Sequence, residues 1–585
     1  MSKNVVTLNM RASNGKKREP RDKKDIEVIK LERERRAERK AAHDARHDAQ
    51  TNGNGSSNGK RKYSKFDGKH RELRYTIVDN SAIHDPEVRA ILDDYGVSKR
   101  FPDEVETAAH GVAIPPSDYP QDWENEGFTD FTHLETIIID PAGAKDHDDA
   151  ISIEKHEDGS WTSYVHIANV AHYVETGGEI DKEARKRGTS IYIPENVIPM
   201  LPEVLSNDVC SLKPNHNRFA ITHKMDFDAA GIMTSYEPIR SVVRVDHGYT
   251  YGDVTQLHIE QRSPQILADL RELATLVDNK KKQDGMLEFD APEAKITLCP
   301  ETGRVADINA YPRDFSNDMI ALMMISANEG QAQWKKEKGL STIYRTHDHP
   351  TEQSIKGLSG LLKAWDVEHD ITPETFTGKK LNDLFIEMDP QIRKLLSPQA
   401  VRKMTRAVYS TDNTGHFGLA SDAYSHSTSP IRRYPDLRDQ QVTNELLRTG
   451  EIEKFLTNSH RSDMAQSATQ STSAEETADT VSRKVNKGHE LNFMEDAIEK
   501  KSVFTGYVRE IHKHNMDIVL PNTIKGKIPY ANIARGNDAL VDEHRKSVFV
   551  GGDTYRLGDE IDVMVDNVYR DSKRVGGFTE FDLVR

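Results

Sequence analysis

At 585 residues and 66.1 kDa, the chain has room for about three or four units at roughly 100–200 residues each. Its composition, 36% hydrophobic and 30% charged with a mean hydropathy of -0.71, is too polar for one compact body throughout, so part of it is expected outside any core. No run approaches the ~20 apolar residues of a spanning helix, the N-terminus lacks the plan of a secretory signal, and two cysteines, Cys210 and Cys299, exclude a disulfide scaffold or a four-cysteine zinc site. A soluble cytoplasmic protein without a membrane partner is expected.

Net charge is -15, from 80 Lys+Arg against 95 Asp+Glu, which argues mildly against a general nucleic-acid coat. The sign is uneven. Residues 1–74 carry about twice as many basic as acidic side chains, so 1–73 read as a disordered basic arm. It includes the flexible linker TNGNGSSNGK, Thr51 to Lys60. A solubilising tail and a tether to nucleic acid or protein both remain open for it. No GxxxxGK[ST] segment occurs, so neither a P-loop motor nor a nucleotide cofactor is expected.

Residues 74–125 form a short mixed extension with turn signals at Asp79-Asn80-Ser81 and Ile114-Pro115-Pro116. From 126 to 445 strand-like runs (THLETIIID, DAISIEK, SYVHIANVAHYV, TSIYIP, FAITHKMDF) mix with helical periodicity at Pro264–Asn279, Phe315–Lys338, Glu352–Trp365 and Asp436–Leu447. The fold class is α+β. A helical connector is expected over 446–500, including polar Ser459–Lys487. Five strand candidates separated by turns over 501–585 predict a small closed barrel of the OB type.

The chemistry concentrates in TIIIDPAGAKDHDDAISIEK. Two β-branched runs flank a loop bearing Asp140, Asp146, Asp148 and Asp149. In an extended chain Asp146 and Asp148 face one way and Asp149 the other. All four converge only if the loop folds around something, and a divalent cation is the natural centre. Hard oxygen ligands suit Mg²⁺ or, alternatively, Mn²⁺, and a pair of ions would serve phosphodiester hydrolysis. The bland alternative is a solvated turn. An EF-hand is a poor fit, since the loop lacks its Gly at position 6 and Glu at 12. In HFGLASDAYSHSTSPIRRYPDL, Pro430 breaks the chain before Arg432-Arg433, and Asp436 is expected to cap the following helix. An arginine in a rigid turn beside a metal suits a transferring phosphoryl group; surface ion pairs are the plainer reading.

DPAGAKDHDDAISIEK, RGTSIYIPENVIPMLPEVLSNDVCSLKP, GMLEFDAPEAKITL and HFGLASDAYSHSTSPIRRYPDL stand in the order and spacing of the RNB family. These are the ribonuclease II and ribonuclease R exoribonucleases, and the chain resembles them over about 100–445. The terminal barrel is similar to their S1-type OB fold. The resemblance implies a processive, Mg²⁺-dependent 3′→5′ exoribonuclease on single-stranded RNA that releases nucleoside 5′-monophosphates. It implies that Asp140 and Asp149 hold the principal ion, Asp146 supports it, and Asp148 is most critical for chemistry. It gives Arg432 to the scissile phosphate, with Arg433 beside it among the RNA contacts, Tyr192 and Phe289 to stacked bases, and Tyr251 to the terminal nucleotides.

The departures are several. The family's N-terminal cold-shock folds do not appear in residues 1–74; Ala321 stands for a usual Glu, Asn169 for an Asp, and Ser427 for an aromatic. Arg438-Asp439-Gln440 departs from a common His-Arg pair. On the barrel, Phe504, Tyr507, Tyr530, Lys525 and Lys527 are expected to form an RNA-contacting face. A monomer is expected. Two rivals stand beside the nuclease: a non-catalytic RNA-binding regulator on a degenerate RNB scaffold, and a metal-dependent phosphoesterase acting on DNA or a smaller ester.

Overall fold

The structure is a computed structural model. It describes residues 79–584 apart from 82, 84, 117–122, 124, 312–313, 535–538, 543 and 572–575. The basic arm and its linker lie outside the described residues.

The extension after the arm is helical. Helix α1 (Pro86–Asp94) begins at Pro86, and the Asp85 carboxylate caps it by accepting from the Glu87 and Val88 amides. Helix α2 spans Asp103–Val112. Turn signals dominate this stretch in the sequence, but Val88, Ile91 and Leu92 recur at helical spacing and all three are buried.

A seven-stranded sheet organises the body. Its strands are β1 (Thr129–Asp130), β2 (Ile137–Asp140), β3 (Asp149–Lys155), β4 (Trp161–Ala168), β7 (Asn217–Phe227), β8 (Met233–Arg244) and β9 (His247–Thr250), with a separate two-stranded hairpin, β5 (Ile191–Ile193) and β6 (Asn196–Ile198). The spatial order is β1-β8-β7-β4-β3-β2-β9, antiparallel except for the β1–β8 and β2–β9 pairs. Both faces are covered, as side-chain alternation requires. Ile138, Ala150 and Phe219 join one core with α2, α3 (Glu179–Arg187) and a later helix. Ile137, Ile139, Ile151 and Ile167 join the other, with α4 (Tyr251–Ile259), α5 (Gln265–Asp284) and α6 (Phe315–Glu337). The run SYVHIANVAHYV does not stay extended: β4 stops at Ala168, and Asn169 accepts from the His172 amide to start one helical turn.

Three helices, α7 (Glu352–Ala364), α8 (Gly378–Glu387) and α9 (Pro390–Val401), build a further apolar cluster. Helix α10 (Tyr434–Thr449) follows the Arg432-Arg433 turn. Asp436 does not cap it; the residue sits within its first turn and accepts from the Ser429 amide. Helix α11 (Asn458–Lys500) runs unbroken for 43 residues, and Ser/Thr hydroxyls along it bond carbonyls four residues earlier, as Ser467 does to Asp463, which leaves the backbone ladder intact.

The chain ends in a closed barrel of β10 (Val503–Ile511), β11 (Asn515–Val519), β12 (Lys525–Pro529), β13 (Glu560–Asp571) and β14 (Gly576–Leu583), in the order β10-β11-β12-β14-β13. These are the five strands read from the sequence. Gly526 admits the Phe581 ring where a Cβ would stand 2.2 Å from it. A three-stranded sheet over residues 540–556, between β12 and β13, was not foreseen.

Candidate active site

The aspartate loop connects neighbouring antiparallel strands. Asp140 is the last residue of β2 and Asp149 the first of β3, so two adjacent strand ends carry carboxylates, with Asp146 and Asp148 on the connection. The loop is pinned from beneath: Ser211 Oγ donates to the Lys145 carbonyl at 2.7 Å and accepts from the His147 amide at 3.1 Å.

Three of the four carboxylates, Asp140, Asp146 and Asp148, have distinct partners. His147 Nδ1 lies 2.5 Å from Asp140 Oδ2. The Tyr192 hydroxyl donates to Asp146 Oδ2 at 2.9 Å. Asp148, only 4% exposed, accepts from the Ile431 amide at 2.8 Å through Oδ1, and its Oδ2 stands 3.4 Å from Arg432 Nε. The turn bearing Arg432 is thus latched to the loop across 283 residues of sequence. Arg432 keeps 42% of its side chain exposed and also donates to Ser429 Oγ at 2.8 Å. Its carbonyl accepts from the Ser190 amide, one residue before β5. Gly188 (φ +69), which lets α11 approach where a Cβ would meet Ala474 at 2.3 Å, accepts from the Tyr434 amide.

Tyr251 follows Thr250, which pairs in register with Asp140 across the parallel β2–β9 ladder. Its hydroxyl is held un-ionised well above its ordinary range by burial and then by the charges of Asp149 and Asp140. Asp140, Asp146, Asp148, Asp149, Arg432, Tyr192 and Tyr251 are therefore brought together. Phe289 belongs to a different cluster. Its ring stands edge-on to Phe385 on α8, with centroids 5.7 Å apart. Arg433 is placed differently from Arg432: its side chain is 19% exposed and donates to Asp436 at 2.6 Å. His147 was missed, although it stands inside DHDD.

Two observations test the site for a cation. Burial pushes Asp148 well above the usual carboxylate range against the pull of Arg432, and burial followed by the Asp140 charge pushes Asp149 up to about 7. Asp148 Oδ2 is also buried without a hydrogen-bond partner. Hard oxygens carrying more negative charge than nearby cations neutralise fit a divalent ion. The four carboxylates do not close into a cage, however. Among the described residues, three ligand atoms lie within 4.8 Å of one another only in Glu510, His512 and Asp517 on the barrel.

The substituted positions have structural partners. Asn169 donates to Asn444 Oδ1 at 3.0 Å, and Ser427 binds Asn328 Oδ1 through its amide and hydroxyl. Asp439 forms an ion pair with Lys335 at 2.6 Å, both side chains fully buried. Gln440 Nε2 donates to the Ala168 carbonyl at 2.8 Å. Of the residues expected on the barrel face, Tyr530 is withdrawn from it, being 2% exposed and donating to the His512 carbonyl, while Phe504 is partly buried against the barrel core. Lys527 Nζ lies 5.1 Å from the Phe578 ring, which stacks on Tyr569.

Ribonuclease R of Mycoplasmopsis pulmonis is 35% identical over 454 residues, covering 76% of this chain and 62% of that relative; the chain spans less than two thirds of its length. Among solved structures, Mycoplasma genitalium RNase R in complex with ribose methylated single-stranded RNA superposes with a TM-score of 0.74 at 23% identity, over 85% of this chain and 77% of the other. Yeast Ssd1, described as a pseudonuclease, superposes at 0.65 and 16%, over 80% and 58%. At those identities the likeness is one of fold. The RNB domain pattern matches residues 128–449, more than half of the chain, and the protein is thereby a member of the RNB family.

Proposed function

We propose that this protein is a cytoplasmic, Mg²⁺-dependent exoribonuclease that removes nucleotides processively from the 3′ end of single-stranded RNA and releases nucleoside 5′-monophosphates. The observation that carries the reading is the latch between Asp148 and the Ile431-Arg432 turn, which holds a solvent-reaching guanidinium against a cluster of four carboxylates.

In this reading Asp140 and Asp149, at the strand ends, hold the ion with help from Asp146 and Asp148. A bound Mg²⁺ or Mn²⁺ supplies charge neutralisation at the phosphate and acidifies the attacking water. The chain's own residues do the rest. His147 orients the Asp140 carboxylate. Arg432, backed by Asp148 and Ser429, offers its free N–H groups to the scissile phosphate and its developing charge. Tyr192 presents a ring that stacks on a base without reading its identity. Tyr251 stays protonated beside Asp140 and Asp149, so it can donate to the terminal nucleotide. Phe289, held in the α7–α9 cluster, offers a second ring to the bases, and the barrel supplies a further RNA-contacting surface.

The regulator reading draws on Ala321 and on the fold shared with a pseudonuclease. Against it stand four intact aspartates and Arg432. A time course on 5′-labelled single-stranded RNA, with Mg²⁺ or EDTA and beside the same sequence as DNA, tests the choice. Shortening to a small limit product with RNA and metal alone is expected; binding without shortening would overturn the proposal in favour of the regulator.

A further inference from the structure

The hairpin that carries Tyr192 has two strands of three residues each. A hairpin that short is not stable on its own and takes its position from whatever it packs on. Alternation along β5 puts Ile191 and Ile193 on one face and Tyr192 on the other. The inner face, Ile191, Ile193 and Ile198, is buried in one apolar cluster with Ile83, Val88, Ile91 and Leu92 from α1 and its approach, and with Ala478, Val481 and Val485 from α11. Both supporting segments lie outside residues 128–449. Helix α11 adds polar ties: Ser482 Oγ donates to the Tyr192 carbonyl at 3.2 Å, and His489 bonds Glu195 in the hairpin turn. Tyr192 itself is 46% exposed, and its hydroxyl bond is to Asp146.

We infer that helix α1 is a positioning element for the site: its buried face sets where the Tyr192 ring stands, and so how the 3′ end of the substrate is held. This inference rests on the exoribonuclease reading. Leu92 and Ile91 lie in the same cluster as Ile191 and Ile193, so cutting back that floor lets the hairpin settle. Tyr192 would then leave Asp146 without any change at the aspartates themselves.

A double-mutant cycle separates this from a general packing role. Affinity for a 5′-fluorescein single-stranded RNA is measured by anisotropy with Mg²⁺, in full-length protein carrying Asp148→Asn so that the RNA survives. Leu92→Ala and Tyr192→Ala are each expected to weaken binding about 5- to 20-fold, and the double variant no further than Tyr192→Ala alone. Leu92→Met is expected to restore binding to within about twofold. A thermal melt confirms folding, and Val88→Ala carries the cycle if Leu92→Ala does not fold. Multiplicative effects, or unchanged binding in the α1 variants, would overturn the inference and leave the nuclease reading standing. Absence of RNA binding by the parent would overturn both.

Discussion

Two acidic groupings in this molecule invite comparison, and the tighter one is the poorer candidate. On the barrel, Glu510, His512 and Asp517 bring ligand atoms within 4.8 Å of one another. Arg509 already sits among them, with Nη2 2.7 Å from Glu510 and 3.6 Å from Asp517. That guanidinium is 7% exposed, so the carboxylates compensate a buried cation and a second cation would meet repulsion. In the aspartate loop the oxygens are less crowded, but burial and mutual repulsion push Asp148 and Asp149 upward. The arginine beside them, Arg432, is solvent-reaching and offers its charge outward. Uncompensated charge, rather than short spacing, distinguishes a cation site from an ion-pair network.

The largest effect that sharpens this contrast is at Arg432. Arg432→Ala is expected to lower the cleavage rate by about 10²–10³-fold, the usual cost of removing a donor aimed at developing charge. Arg432→Lys should recover little of it, because placing Nε beside Asp148 while another nitrogen reaches Ser429 needs the guanidinium fork. Single-turnover rates measure both; a loss below about fivefold in the alanine variant would detach Arg432 from the chemistry.

Next comes Tyr192→Ala, expected to raise KM for RNA by about 10-fold or more with a smaller change in kcat, since a stacked base is worth roughly 1–3 kcal/mol. Steady-state kinetics on an oligoribonucleotide series would show it. A pure kcat effect would instead make the Asp146 hydrogen bond the function of Tyr192.

The barrel cluster should behave oppositely. Glu510→Gln combined with Asp517→Asn is expected to leave the rate and its Mg²⁺ dependence within about twofold. Stability should fall by about 1–3 kcal/mol as Arg509 loses its counter-charges, a figure reduced by the partial exposure of Glu510. Denaturant midpoints read the second effect, and a strong loss of metal dependence would reverse the comparison.

The smallest effect lies in the sheet. His166 on β4 and His223 on β7 are buried neutral, with burial the main cause lowering them to about 3 and about 4. The unfolded chain binds protons below about pH 6.5 that the folded chain refuses. Stability is therefore present in full above that value and is lost as pH falls towards about 4. The melting temperature should drop between pH 7.5 and 5, with His166→Gln reducing the drop; a flat profile would contradict the buried-neutral assignment.

The five barrel strands and the β2–loop–β3 unit were legible because each obeys a strict alternation or a local cluster. Helices α1 and α2 were not, since turn residues flank them and α1 has only three buried apolar positions in nine. The four aspartates were legible as a group, but their partners were not. Ile431 and Tyr192 reach the loop from 283 and 46 residues away, and no pattern within DHDD announces them. Arg433 illustrates the limit best: adjacent to Arg432 and chemically identical, it faces inward because Asp436, three residues on, claims it. Spacing shows which residues are close in sequence, whereas the turn at Ser429–Arg433 decides which side chain faces the site.

The most direct test of the central claim compares the parent chain with Asp148→Asn in single-turnover cleavage and in binding of one 5′-labelled single-stranded RNA with Mg²⁺. Asparagine preserves volume and can still accept from the Ile431 amide, but it removes the charge that faces Arg432 and the ion. Cleavage lower by about 10²-fold or more, with affinity within about threefold of the parent, is the predicted result. Cleavage at the parental rate would contradict the assignment of this loop as the catalytic centre.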